Sequence, residues 1–320
     1  MELCLRGFVR CFCHETISSV TAALEFLGTT KKFNSYLALD HLTLALQPGE
    51  ILGFLGPNGA GKTTAIHLAM GFLKPTSGGG MLSGRPFGDT AARERVGYLP
   101  DVPSFFAEGA RSAVEFAGRL NGMRNPRLRE RARELLGRLD LLSAGKDARR
   151  FSRGMQQRLG LAQALVNDPE VLVLDEPTSA LDPPGVMEVR ELLRAARDEG
   201  KSIFFSSHQL SEVEQVCDRI AFLHKGKLLR EGPLEQFLRE SGRSEIVLRG
   251  PALAGFQAYQ SASQDGMLRY VVPTHMQRGL IEQAWMAGAE LVSVAPLRRT
   301  LEELFVSWSE SGSEGGSGRA

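Results

Sequence analysis

Apolar residues fall in short unbroken blocks along this chain. Ile51-Leu52-Gly53-Phe54-Leu55, Val171-Leu172-Val173-Leu174 and Ile203-Phe204-Phe205 contain no polar side chain, and Val96-Gly97-Tyr98-Leu99 is a weaker block of the same kind. Such blocks read as strands buried on both faces of a parallel sheet, because alternation vanishes when neither face meets water. Stretches of helical spacing separate them, which predicts an α/β domain. One such stretch, Ala65–Phe72, lies shortly after the first block. Strand-like sequence begins at Ala22-Ala23-Leu24-Glu25-Phe26-Leu27.

Residues 108–146 differ in character. Asn125-Pro126 predicts a helix start, with Asn as cap and Pro in the first turn. Leu128, Ala132, Leu135, Leu136 and Leu139 then share one face, and the opposite face is rich in Arg and Glu. That face reads as solvated, held by internal pairs such as Glu134–Arg138, rather than as a surface for nucleic acid or lipid. Beyond Gly232-Pro233 the pattern changes again. Ser244–Arg249, Met267–Val272 and Leu291–Ala295 read as strands, Gln277–Ala287 as a helix and Thr300–Trp308 as a last short helix. The expected divisions are a leader over 1–21, a main domain over 22–238, a small α+β domain over 239–308 and a disordered tail over 309–320.

Composition narrows the classes. The 320 residues are 42% hydrophobic, enough for a full core. The 38 basic and 37 acidic side chains leave a net charge of +1, unlike the strongly basic domains that bind nucleic acid. No uncharged apolar run approaches the ~18–20 residues that cross a bilayer, so spanning helices at a membrane would come from another polypeptide. Cys4, Cys11 and Cys13 crowd the N-terminus and Cys217 stands apart. Cys11-x-Cys13-His14 lacks the second pair of a closed zinc site. The sharper expectation is that translation starts at Val20 and that residues 1–19 are not native.

The chemistry sits at the ends of the blocks. Gly56-Pro57-Asn58-Gly59-Ala60-Gly61-Lys62-Thr63-Thr64 fits G-x-x-x-x-G-K-[ST] between a strand and a helix. Glycines there let backbone N–H groups turn toward phosphate oxygens. Lys62 supplies charge for the β- and γ-phosphates, Thr63 a hydroxyl for Mg²⁺, and the helix its positive end. Asp175-Glu176 closes the block Val171–Leu174, and His208 follows Ile203–Ser207. Ligands of open α/β sheets bind beyond the carboxyl ends of the strands. Asp175 is therefore expected to hold Mg²⁺, Glu176 to polarise the attacking water and His208 to touch the γ-phosphate.

Together with Phe151-Ser152-Arg153-Gly154-Met155-Gln156-Gln157-Arg158, Tyr98-Leu99-Pro100-Asp101 and Ser179-Ala180-Leu181-Asp182, these pieces resemble the nucleotide-binding subunit of an ABC transporter over residues ~22–232. The resemblance implies a P-loop NTPase. Its sheet is mainly parallel with added antiparallel β elements, and a helical subdomain is inserted at about 102–165. It also implies ATP and Mg²⁺ as ligands, and a head-to-tail homodimer or heterodimer with two ATP molecules at the interface. Each ATP would lie between one phosphate loop and Ser152 and Gly154 of the other subunit. Glu176 would be the general base, His208 the γ-phosphate switch and Phe33 the ring stacked on adenine.

Three positions depart from the family pattern. Asp101 replaces the usual Gln of the coupling loop, Arg153 a signature Gly and Met155 a Gln. Asp101 is grouped with Thr63 and Asp175 as an oxygen ligand for Mg²⁺. The departures, and the C-terminal Pro296-Leu297-Arg298-Arg299-Thr300-Leu301-Glu302-Glu303-Leu304-Phe305, resemble the exporter subfamily for drugs, ions, polysaccharides and lipids. The implied role is an ATPase in the cytoplasm, on the inner face of the membrane through separate permease subunits, with no nucleic acid partner. A non-transport ABC ATPase of ribosomes or DNA is the rival. One phosphate loop and no sustained heptads weigh against it. A third reading, a module that binds ATP without turnover, leaves Glu176 and His208 without a role.

Overall fold

The computed structural model describes residues 21–105, 109–124, 126–144, 147–238, 240–264, 266–305 and 308. The leader over 1–20, Asn125 and the tail over 309–320 lie outside the described residues.

The first elements form an antiparallel hairpin, β1 (Leu24–Phe33) and β2 (Tyr36–Leu46), followed by β3 (Ile51–Leu55) and α1 (Lys62–Ala69). Next come β4 (Ser77–Leu82), β5 (Arg85–Pro86), α2 (Thr90–Arg93) and β6 (Val96–Leu99). A helical stretch holds α3 (Ala110–Leu120), α4 (Arg127–Arg138) and α5 (Arg153–Leu165). The chain returns through β7 (Val171–Asp175), α6 (Pro183–Asp198), β8 (Ser202–Ser207), α7 (Leu210–Val216), β9 (Arg219–His224), β10 (Lys227–Pro233) and α8 (Leu234–Phe237). It ends in β11 (Glu240–Arg249), β12 (Gln260–Gln264), β13 (Met267–Pro273), α9 (Gln277–Met286) and β14 (Glu290–Arg298).

These strands make three sheets. The central one runs β10-β9-β3-β8-β7-β6, parallel except for the β10–β9 pair. Its middle strands are buried along their whole length. The physical cause is a layer on each face. Ile51, Leu55, Leu172, Leu174, Ile203 and Phe205 point into a core shared with α3, α4, α5 and α7. Leu52, Phe54, Val171, Val173 and Phe204 point into a second core with α1 and the sheet β2-β1-β4-β5. Period-2 packing persists, but both faces are apolar, so the sequence shows blocks rather than alternation.

The third sheet, β12-β13-β11-β14, is antiparallel and packs on α9 through Ile246, Leu248, Tyr270, Leu280 and Ala284. Leu301, Phe305 and Trp308 return to the first core, where the last two rings meet Phe222. The described residues over 301–305 and at 308 are helical.

Two expectations need correction. Helix α4 begins at Arg127 with Pro126 as its cap, so the proline sits outside the first turn. Helix α1 starts at Lys62 and ends at Ala69, ahead of Gly71, whose φ is 72°. The left-handed glycine stops the helix short of Phe72. The apolar stripe of α4 behaves as the pattern predicts, with Leu128, Ala132, Leu135, Leu136 and Leu139 buried and Glu134 paired to Arg138 at 2.9 Å. No helix among the described residues is long and apolar enough to cross a membrane.

Candidate nucleotide site

Strand register assembles the site. Leu55 at the end of β3 lies beside Ser207 of β8, Asp175 of β7 beside Ser206, and Leu99 of β6 beside Leu174. The four chains therefore leave the sheet side by side, carrying the 56–64 loop, His208, Asp175-Glu176 and Asp101. At these ends lies a cleft of ≈ 290 Å³ lined by Tyr36, the loop residues Pro57, Asn58, Gly59, Ala60, Gly61, Lys62, Thr63 and Thr64, and by Asp101 and Glu176. Gly56, Asp175 and His208 are not among its lining residues, and His208 meets the cleft through Glu176.

The loop's glycines answer to geometry. Gly61 caps α1 at φ 110°, and a Cβ there would run into the carbonyl oxygen of Ala38. Gly56 leaves β3 so close to the carbonyl oxygen of Leu223 that a side chain has no room. The backbone can then curl around an anion, with the N-terminus of α1 aimed into the curl. Lys62 is buried. Its Nζ donates to the carbonyl oxygen of Gly56 at 2.7 Å and lies 3.3 Å from Glu176 Oε1.

Glu176 is gripped from three elements. Its other oxygen, Oε2, meets His208 Nδ1 at 2.7 Å. Its backbone N–H donates to Ser206 Oγ at 3.0 Å, and its carbonyl accepts from Gln157 Nε2 at 3.1 Å. Ser206 and Gln157 were not singled out by sequence reasoning. Ser206 is a polar residue near the end of a buried strand. Gln157 is buried on α5, where the apolar stripe leaves no reason for an amide. Both signals are legible only once the neighbour is known.

Asp175 lies beneath the cleft. Burial pushes its carboxyl above the usual range, the hydroxyls of Ser206 and Thr63 pull it down, and the Glu176 and Asp101 carboxylates push it up again. Ser206 Oγ donates to its Oδ1 at 2.5 Å. Among the described residues its Oδ2 is buried without a hydrogen-bond partner, an expensive state for a carboxylate oxygen. A divalent cation there would satisfy that oxygen, with the Thr63 hydroxyl beside it and Asp101 on the rim of the cleft. This all-oxygen set suits Mg²⁺, which takes one or two carboxylates and completes its shell with water and phosphate.

Two groups lie away from the cleft. Ser152 caps α5 by accepting the Met155 N–H at 3.2 Å, and Gly154 packs near Ala180. Neither lines the cleft of its own chain. Phe33 does not line it either. Its exposed ring sits at the β1–β2 tip with Lys31 Nζ 4.9 Å from the centroid. Tyr36, opposite Phe33 in the hairpin, is the aromatic residue on the cleft, its hydroxyl donating to the Gly59 carbonyl at 3.2 Å.

Comparison with known proteins agrees with this geometry. A family model described as ABC transporter matches residues 39–179. An ABC transporter ATP-binding protein of Synechocystis sp. is 41% identical over 84% of this chain and 77% of its own length. The bacitracin transport ATP-binding protein BcrA of Bacillus licheniformis is 34% identical over 90% of this chain and 97% of its own length. Among solved structures, an ATP-binding subunit of an ABC transporter superposes with a TM-score of 0.63 at 26% identity, covering 68% of this chain and 92% of that one. A dimeric, post-hydrolysis ATP-binding cassette holding ADP and Pi gives 0.61 at 26% identity, over 66% and 98%. The chain belongs to the ABC transporter family, as one of its ATP-binding, ATP-hydrolysing subunits.

Proposed function

We propose that this subunit drives export through a separate membrane permease, working as a head-to-tail pair in which Ser152 and Gly154 of one copy complete the nucleotide cleft of the other. The observation that carries this is the half-built site: base, switch histidine and phosphate loop converge, while the signature residues stand outside the same cleft. Relatives named for bacitracin transport, daunorubicin resistance and Nod factor export support the direction. Exposed Val102, Phe116 and Leu120, near Asp101 and on α3, offer the permease an apolar foothold.

In this reading Lys62 exchanges its Gly56 and Glu176 contacts for the β- and γ-phosphates. Thr63 and Asp175, with Asp101 at the rim, would hold Mg²⁺, which would supply positive charge to the phosphate oxygens. Glu176 accepts a proton from water as the water oxygen attacks the γ-phosphorus and the bond to the β-bridging oxygen breaks. His208, on the far oxygen of Glu176, orients that carboxylate and meets the γ-phosphate. Phe33 stacks on adenine.

Glu176→Gln tests the assignment. It removes the base while keeping shape, so turnover should fall by about 10²–10⁴. ATP should then hold the variant as a dimer on gel filtration. A hydrolysis rate equal to that of the unchanged protein would remove Glu176 as base.

A further inference from the structure

Behind the Glu176–His208 contact lies a second contact that the reaction scheme above does not use. Thr178 stands two residues after Glu176, and Glu212 stands four after His208, in the first turn of α7. Both side chains are buried, and the Thr178 hydroxyl donates to Glu212 Oε2.

Its place in the fold gives the contact its meaning. Pairing between β7 and β8 ends at Asp175 and Ser206. Glu176 and His208 lie beyond it, where the ladder no longer sets how far apart the two chains are. Past Asp175 the chain enters a tight turn, with Ser179 N–H on the Glu176 carbonyl at 3.2 Å and Leu181 N–H on the Thr178 carbonyl at 3.1 Å. Thr178 is thus rigidly linked to the base. On the other side α7 is braced by Arg190 and Arg194 of α6, which donate to the Gln215 side chain and carbonyl. Two stiff pieces leave the sheet, and the Thr178–Glu212 bond ties them just past its edge. A buried carboxyl is a costly way to pack a helix, whereas an apolar pair would fill the space without desolvating a charge. What the polar pair adds is direction, since a hydrogen bond fixes one separation and one angle where apolar contact tolerates sliding.

We propose that Thr178 and Glu212 are a positioning pair that holds Glu176 and His208 in register beyond the strand ends, setting the rate of ATP hydrolysis and not the affinity for ATP. The proposal rests on Glu176 acting as the base. Misplacing a reacting group by an ångström costs up to about a hundredfold in rate. Loss of this one tie, with the His208 contact still present, is expected to cost about tenfold.

The test uses the full chain and measures ATPase kcat and KM, equilibrium binding of ATP, and melting temperature. Thr178→Val keeps the shape and deletes the hydroxyl. It should lower kcat about tenfold while KM and ATP binding stay within about twofold. Thr178→Ser restores a hydroxyl and should recover most of the rate, as should Glu212→Gln, which keeps an acceptor oxygen. Glu212→Ala should match Thr178→Val, and the double variant should be no slower than either alone, since both delete one bond. An unchanged kcat in Thr178→Val overturns the proposal, as does a Ser variant as slow as the Val variant at equal melting temperature. If Thr178→Val loses ATP binding and melting temperature along with kcat, the bond is structural and the proposal fails. Glu176→Gln run alongside separates the two readings. If it leaves turnover intact, the assignment of the base is at fault, whatever Thr178 does.

Discussion

Glu176 sits at φ 51°, a left-handed conformation that a residue with a Cβ seldom adopts. Such backbone costs on the order of 1–3 kcal/mol and persists where surroundings over-determine it. Ser206, Gln157, Lys62 and His208 are those surroundings. Glu212, one layer behind, shows another burden. Burial pushes its carboxyl above the ordinary range, with the Thr178 hydroxyl and Arg190 pulling the other way, Glu176 pushing it up and His208 pulling it down. A raised value in the folded chain means that the folded state keeps this proton to higher pH than the unfolded state does. The resulting stabilisation is complete below the unfolded value and is lost as pH rises through the folded one. Glu212→Gln removes that loss. Going from pH 5 to pH 8, its melting temperature should fall less than that of the unchanged protein. Thermal scans at the two pH values check it, and parallel curves would show that Glu212 does not titrate in this window.

At the scale of elements, the chain is most readable where one physical demand rules. The blocks Ile51–Leu55, Val171–Leu174 and Ile203–Phe205 announced strands because both faces of the central sheet are covered. Asp175, Glu176 and His208 could be expected at one end of the sheet because parallel strands end together, and of the three Glu176 lines the cleft while His208 contacts Glu176. The hairpin β1–β2 was less readable. Its register slips at several points, so its polar and apolar positions do not alternate cleanly. Helix α4 was misread at its start because Pro126 suits a cap as well as a first turn. The hairpin tip also complicates adenine recognition, since it presents both Phe33 and Tyr36, and it is the Tyr36 hydroxyl that donates to the phosphate loop at Gly59. Stacking of one base on an aromatic ring is worth about 1–3 kcal/mol. Phe33→Ala should therefore weaken ATP binding about 5- to 150-fold and leave inorganic tripolyphosphate binding unchanged. If Tyr36→Ala causes the larger and base-dependent loss, Tyr36 is the platform.

At the scale of the whole molecule, α7 is the meeting point. Its Glu212 accepts the Thr178 hydroxyl behind the base, and its Glu214 accepts the Leu301 N–H at 2.6 Å from the segment that follows the third sheet. That segment seats Leu301 in the main core and sets Trp308 against Phe222 and Phe237, at centroid distances of 5.5 and 5.3 Å. BcrA shares nearly its whole length with this chain, whereas the superposed cassettes cover about two thirds of it. The segment after the third sheet is held to the ATPase core by rings packed on Phe222 and Phe237 and by the Glu214 bond from the helix that follows His208. A hydrogen bond to a charged group is worth about 1.5–3 kcal/mol. Glu214→Ala should loosen the segment without touching the cleft. The chain has two tryptophans, and Trp285 is exposed on α9, so a Trp285→Phe background leaves Trp308 as the reporter. In that background Glu214→Ala should move the emission to longer wavelength and raise its quenching by acrylamide. An unchanged spectrum would mean that the aromatic contacts alone seat the segment, and that Glu214 carries no part of the link between the third sheet and the ATPase core.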